Sequence, residues 1–476
     1  MTRQTLADSP ASVPPFHRDG LWPAAAARIE SFAVRHRRKL VFVHAAMFGL
    51  FAALMIGPLL LPPAPSGVFA SLAGFATFIV WGVWFPLVFL SVIVSGRSWC
   101  GLLCPMGAAS EWANRIGLNR PIPHWVQWPG TPVVSFVVVT IWAQTAGARD
   151  HAEAMAIVFG STLAAALLLG FLFGRRKRAW CRHMCPIGLL LGVYSRIGIV
   201  DFHPKRPRPG GDHWTERTAC PTLIDLDRKT ESRHCIACHG CVSPAAKGGL
   251  YFRLRRLGAE VAAIRDHNPN LAEVLFLFVG TGVSLGGFLW LVLPSYQSLR
   301  LALGNWAIGH GWDWFGMPGP VWLMANYPAE REVFRWLDFL LIAGYMLAWT
   351  IGMTALLGAA TAGSAWLSGR LGGDRDFRRR FVELGYQFLP IAMVSLLLGL
   401  GGNLFSTLAA LGLGAGATAA AKAGLFAAGG LWSLVLGERL LARQGVGAGR
   451  RWLALLPGLL GSLAIGAAWY PAVFLS

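Results

Sequence analysis

Residues 97–118, RSWCGLLCPMGAASEWANRIGL, and residues 178–199, RAWCRHMCPIGLLLGVYSRIGI, align without a gap at an offset of 81 and share nine identical positions. The identities are Arg97/Arg178, Trp99/Trp180, Cys100/Cys181, Cys104/Cys185, Pro105/Pro186, Gly107/Gly188, Arg115/Arg196, Ile116/Ile197 and Gly117/Gly198. A repeat of this kind marks two copies of one structural unit. Each copy follows the second apolar stretch of a two-helix hairpin. Both copies therefore emerge on one face of the membrane, related by an axis along its normal, and their thiols can converge.

The rest of the chain fits that membrane setting. Of 476 residues, 55% are hydrophobic and only 14% charged, a balance that points away from soluble domains. Windows of roughly 20 apolar residues, enough to cross about 30 Å of hydrocarbon, recur along the sequence. They predict about nine transmembrane helices, near 40–62, 69–95, 131–147, 152–174, 271–294, 333–360, 384–406, 419–437 and 452–473. Residues 1–39, polar and Pro-rich, end in Arg35-His36-Arg37-Arg38-Lys39 and read as a cytoplasmic tail, not a cleavable leader. With that tail inside, 37 of the 42 Lys and Arg fall in cytoplasmic segments. Topology thus accounts for the net charge of +19 and removes nucleic-acid binding from the readings.

The expected organisation is a tail at 1–39, a membrane domain at 40–199 holding both repeats, a hydrophilic unit at 200–270 and a C-terminal membrane domain of about five helices at 271–476. The unit at 200–270 opens with Pro204, Pro207, Pro209, Gly210 and Gly211 and holds four cysteines. It reads as a small cytoplasmic domain folded around a metal centre, so the fold class is an all-α polytopic membrane protein with one small appended domain.

All eight cysteines, Cys100, Cys104, Cys181, Cys185, Cys220, Cys235, Cys238 and Cys241, lie in or beside segments expected in the cytoplasm. A reducing compartment argues against disulfides, and none of the eight sits in mid-membrane as an apolar packing residue. Metal ligation remains, with the thiols divided four and four. The first set is the two C-x3-C-P pairs. The second is Cys235-x2-Cys238-x2-Cys241, a tight loop able to wrap three corners of a cubane, with Cys220, followed by Pro221, as the fourth ligand. Zinc is an alternative for the second set, although structural zinc sites favour two separated C-x2-C knuckles. Copper(I) is an alternative at the C-x3-C-P pairs, since soft thiolates suit it.

WCGLLCPMGA, WCRHMCPIG and the Cys-x2-Cys-x2-Cys loop after them resemble the membrane-bound polyferredoxins of the NosR and NapH kind, over about residues 40 to 270. The resemblance implies two 4Fe-4S clusters, a ferredoxin-like unit at 200–270, a bacterial inner membrane, and electron traffic between the quinone pool or a cytoplasmic donor and a partner redox protein. The family's usual motif would place a further Cys at 245, where this chain has Ala245. That departure leaves the fourth position of the second set to Cys220.

Other residues have plainer readings. His44 is the one histidine well inside an expected span, so paired axial ligands for heme are missing; it reads as a buried side chain bonded to a neighbouring helix, or as a contact to a quinone head group. His183, His234 and His239 flank the cysteines, as loop residues or as donors that raise a redox potential. The runs Arg175–Arg178 and Arg253–Arg256 fix topology and touch lipid, or dock an acidic donor. The aromatic segment 295–332 reads as an interfacial belt, and Gly280, Gly282 and Gly286 as helix-packing positions. No general base, nucleophile or phosphate loop is evident. Two functions stand against each other: an electron-transfer protein, and a copper-handling assembly factor for a respiratory metalloenzyme.

Overall fold

The computed structural model describes residues 20–61, 71–174, 177–205, 220–242 and 249–475. The start of the tail, Arg175 and Arg176, the Pro207 to Gly211 segment and Ala245 lie outside the described residues. The chain is mostly helical, and eight helices are long and apolar enough to cross a membrane. Their outward side chains are apolar, as at Phe42, Leu60, Ile351 and Leu431, which suits lipid contact while the helices satisfy their own backbone groups.

Helix α1 (Pro23–His36) belongs to the region expected as a tail, yet it is docked. Ala26 and Glu30, one turn apart, are buried, and the Glu30 carboxylate accepts a 2.7 Å hydrogen bond from the Phe252 amide. Helix α2 (Leu40–Leu60) and span α3 (Leu72–Ser95) lead to the first repeat, whose post-proline helix is α4 (Pro105–Arg115). A hairpin of α5 (Thr131–Thr145) and α6 (Ala152–Leu172) leads to the second repeat and α7 (Gly188–Ser195). The expected span at 131–147 is the short one: 15 residues rise only about 22 Å, less than the hydrocarbon thickness. The nine expected spans therefore resolve into eight full-length candidates and this shorter apolar helix.

The hydrophilic unit holds an antiparallel pair, β1 (Val200–Pro204) with β2 (Leu250–Leu254), in register from Val200↔Leu254 to Pro204↔Leu250. Phe202, Leu250 and Phe252 make its small core with Cys220, Leu226 and Ala26 of α1. Beyond it run α8 (Leu271–Val292), α9 (Pro294–Gly309), α10 (Trp336–Arg370), span α11 (Phe377–Leu400), α12 (Ala415–Arg443) and α13 (Arg451–Phe474). α8 lies at the centre of this half. A Cβ on its Gly282 would stand 2.7 Å from Thr350 Cα, and one on Gly286 2.8 Å from Met346 Cα, so the small residues set the close approach of α10.

A buried ion cluster ties the two halves together beneath the cysteines. Arg196, wholly buried, donates to Glu273 at 2.7 and 3.0 Å and to Glu260 at 2.8 Å; Arg233 also pairs with Glu273, and Tyr386 donates to it at 3.0 Å. Removing one partner of such a set strands the others without solvent. Glu273→Gln should therefore destabilise the protein by ~3–5 kcal/mol, measured as a lowered thermal midpoint in detergent. A variant melting with the parent would show the cluster to be dispensable.

Candidate metal centres

Both repeats fold into the same local structure. A π-helical turn, Trp99–Leu103 in one and Trp180–Met184 in the other, carries the first cysteine. Each closes on an amide of the second cysteine bonded five residues back: Cys104 N to Trp99 O at 2.8 Å, and Cys185 N to Trp180 O at 2.9 Å. The wider turn lets residues four apart stand nearly above one another, and single π turns of this type concentrate at functional sites. Proline then forces the second cysteine out of the helix, since the residue before proline avoids the α region. Cys104 sits at ψ 116° and Cys185 at ψ 122°. In the first copy Pro105 opens α4, where the Cys104 thiol accepts from the Gly107 amide at 3.5 Å and so faces the positive helix end.

The two copies meet. Arg178 donates across to the Cys100 carbonyl at 2.8 Å, and the Cβ position of Gly107 lies 3.4 Å from the Cys181 thiol. Burial pushes the Cys104 thiol up to about 11 and the Cys181 thiol to about 12, with the Arg178 charge pulling Cys181 back. Cys185 is also driven up, by burial and then by the charges of Cys181, Cys104 and Cys100. Four thiols thus share one field.

Cys220, Cys235, Cys238 and Cys241 line one small cavity, with Ile236, Ala237 and His239 from the loop and Phe202 and Leu250 from the strands. Here too burial is the main reason the Cys235 thiol rises to about 11, opposed by Lys229. Cys220 is brought to the loop by its neighbours: Arg178 N donates to Pro221 O at 2.7 Å, and Lys177 Nζ to Cys220 O at 2.8 Å. Among the described residues, no three His, Cys, Asp or Glu side chains close around a single-ion position. Cys220, Cys235, Cys238 and Cys241 instead border one shared space.

What surrounds the thiols suits an anionic group with sulfide acceptors. Arg97 and Arg178 are buried, and Arg97 Nη2 points at the Cys100 sulfur at 3.8 Å. Arg97 Nε, Trp180 Nε1, Arg182 Nη1 and His239 Nδ1 are buried nitrogens without a hydrogen-bond partner among the described residues. Unsatisfied buried donors are rare, and here they border the cysteines, where sulfur acceptors of an iron-sulfur cluster would complete them.

The two sites touch. A Cβ on Gly101 would stand 2.1 Å from Ile236 O and 2.9 Å from Cys238 N, so the first turn lies backbone to backbone on the second loop. His44 completes the contact from α2, its Nε2 at 3.3 Å from Gly101 O, which is the helix-to-helix reading of that residue. A further element is not announced by the sequence: an aromatic cavity of about 200 Å³ beside the first site, lined by Trp84, Trp99, Phe85, Phe136, Cys104 and Cys185 among others. Its residues are scattered from Phe51 to Leu400, so no local motif could announce it.

Comparison with known proteins fits this geometry. The family described as a 4Fe-4S binding domain matches residues 66–123 and 156–209, which carry the two C-x3-C-P turns. The chain thus carries two copies of a 4Fe-4S binding domain between helices long and apolar enough to cross a membrane. The relatives it matches include NosR and NapH proteins, to which the chain is similar. It is similar to an uncharacterised protein of Methanocaldococcus jannaschii (26% identity, covering 33% of this chain and 65% of that one). It is likewise similar to protein NirI of Paracoccus denitrificans (27%; 40% and 30%) and to regulatory protein NosR of Pseudomonas aeruginosa (25%; 33% and 26%). The matched regions thus span from about a quarter to just under two thirds of these curated relatives. No solved structure matches the chain.

Proposed function

We propose that the chain relays single electrons through two adjacent 4Fe-4S centres, between the quinone pool and a partner redox protein. Cys100, Cys104, Cys181 and Cys185 hold one centre; Cys220, Cys235, Cys238 and Cys241 hold the other. The clusters supply the one-electron chemistry when bound. The chain supplies buried thiol ligands, the Arg97 and Arg178 charges, donors that favour the reduced state, and a backbone contact at Gly101 that keeps the two sites together. The observation that carries the reading is the convergence of eight thiols into two touching sets beside an aromatic cavity. By the positive-inside argument this face is cytoplasmic, and the resemblance to the NosR and NapH proteins implies the bacterial inner membrane.

The cavity supports a quinone over an acidic soluble donor as the lipophilic partner. It is almost wholly apolar and bordered by Cys104 and Cys185, which suits a ring that must approach the first centre. Quinol added anaerobically to membranes is expected to reduce the centres. Ala143→Phe, which overfills the cavity at a cost of ~1–3 kcal/mol, should weaken that response about tenfold or more while dithionite still reduces both centres. Quinol-insensitive centres in the parent would overturn the quinone assignment.

A further inference from the structure

On the face opposite the cysteines a second cavity, of about 270 Å³, is lined by Gly147, Asp150, Trp290 and Glu332, and it shares Ala143, Gln144 and Arg149 with the aromatic cavity. The two spaces therefore meet at the end of α5, the helix too short to cross the hydrocarbon unaided. Gln144 is held there by a 3.3 Å hydrogen bond from Trp290 Nε1. The Arg149 guanidinium lies 4.9 Å from the centroid of Phe288, a lining residue of the aromatic cavity, and among the described residues it makes no ion pair.

The outer wall of this second cavity leads to solution. His151, only 6% exposed, stands between two carboxylates, with Nε2 2.9 Å from Glu332 and Nδ1 3.2 Å from Glu330. Its ring stacks on Tyr327 at 3.7 Å. Glu330 is 65% exposed and Glu332 32%, so the sequence Glu330, His151, Glu332 runs from water to the cavity. Asp150 and Arg149 face the same space, and the Glu153 charge acts on Tyr327. Burial opposes a charged His151 ring, but the Glu332 bond and the surrounding carboxylates outweigh it and raise its proton affinity; burial raises that of Asp150 too. A buried imidazole with a carboxylate on each nitrogen is an arrangement that can accept a proton on one side and release one on the other.

We propose that Glu332 and His151 form a proton-exchange port serving the aromatic cavity from the face opposite the cysteines, so that electrons and protons part toward opposite sides of the membrane. This rests on the quinone reading above. Oxidation of a quinol breaks two O–H bonds and yields the quinone, two electrons and two protons. With clusters bound, the cysteine-held iron-sulfur groups would serve as the one-electron oxidant, and both protons would leave by Glu332, His151 and Glu330. In the reverse direction the quinone draws both protons from that same face. The reaction is thereby charge-separating.

The test uses the full chain, loaded with its clusters and reconstituted with one orientation in proteoliposomes, a short-tailed quinol as donor and an impermeant one-electron acceptor on the cysteine face. A trapped pH dye is expected to register about two protons per quinol on the opposite face. Glu332→Gln should slow quinol oxidation on the order of a hundredfold, with Glu332→Asp restoring part of the rate. Dithionite reduction and iron content should stay at parental values in both variants, separating the port from misfolding. Protons released on the cysteine face, or a Glu332→Gln protein with parental rate and sidedness, would overturn the port while leaving the quinone reading intact. A fully loaded parent that oxidises no quinol would refute that reading and the port with it.

Discussion

Cys181→Ser is expected to halve the bound iron, from about eight to about four per chain, and to remove one of two spectroscopic centres while the other persists. Cys181 is buried in the second π turn, in the field of Cys100 and Cys104, and its neighbour across the repeat interface is Gly107. Nothing in that set reaches into the cavity bordered by Cys220, Cys235, Cys238 and Cys241. Cys235→Ser should produce the complementary loss. Electron paramagnetic resonance of the dithionite-reduced proteins, at matched protein yield, checks both. Loss of both signals from a normally inserted protein in either variant would contradict the grouping by fours.

Gly101→Ala should be among the most damaging substitutions that leave every ligand in place. Helix propensity alone would favour alanine by about 0.5–1 kcal/mol. The contact decides otherwise, because the new methyl would stand 2.1 Å from a carbonyl oxygen and 2.9 Å from an amide nitrogen, both backbone atoms that no rotamer change can move. Overlap of this kind in a packed site costs more than ~4 kcal/mol, or forces the Cys235 loop away from the first turn. Gly160→Ala in α6, where a Cβ meets nothing within 4 Å, is the control and should be neutral or slightly stabilising. Thermal melting and iron content of the two variants should diverge; similar behaviour would show that the close approach of the two sites is unimportant.

Much of the site was legible because its chemistry is spelled in short, repeated words. The C-x3-C-P pairs and the Cys235 loop mark themselves by spacing, and the offset of 81 places them on one face. What local patterns could not reveal depends on residues far apart in sequence. Arg115 and Arg196 occupy equivalent positions in the repeat, yet Arg115 is 63% exposed beside Glu111 while Arg196 is fully buried among Glu260 and Glu273. The repeat says nothing about that divergence, because the partners of Arg196 come from the second half of the chain. Gly101 was unremarkable in sequence for the same reason, its neighbour being residues 236–238. In the polar, Pro-rich tail the apolar contact of Ala26 and the carboxylate of Glu30 against β2 are too sparse to form a pattern. Helix α5 was read as a full span by hydropathy, which measures composition but not where a helix stops.

The account stands on eight thiolates holding two cubanes. Iron and acid-labile sulfide, measured on protein purified with strict exclusion of oxygen, test it most directly: about eight of each per chain are expected. Four of each together with copper or zinc, or a colourless protein free of iron, would contradict it.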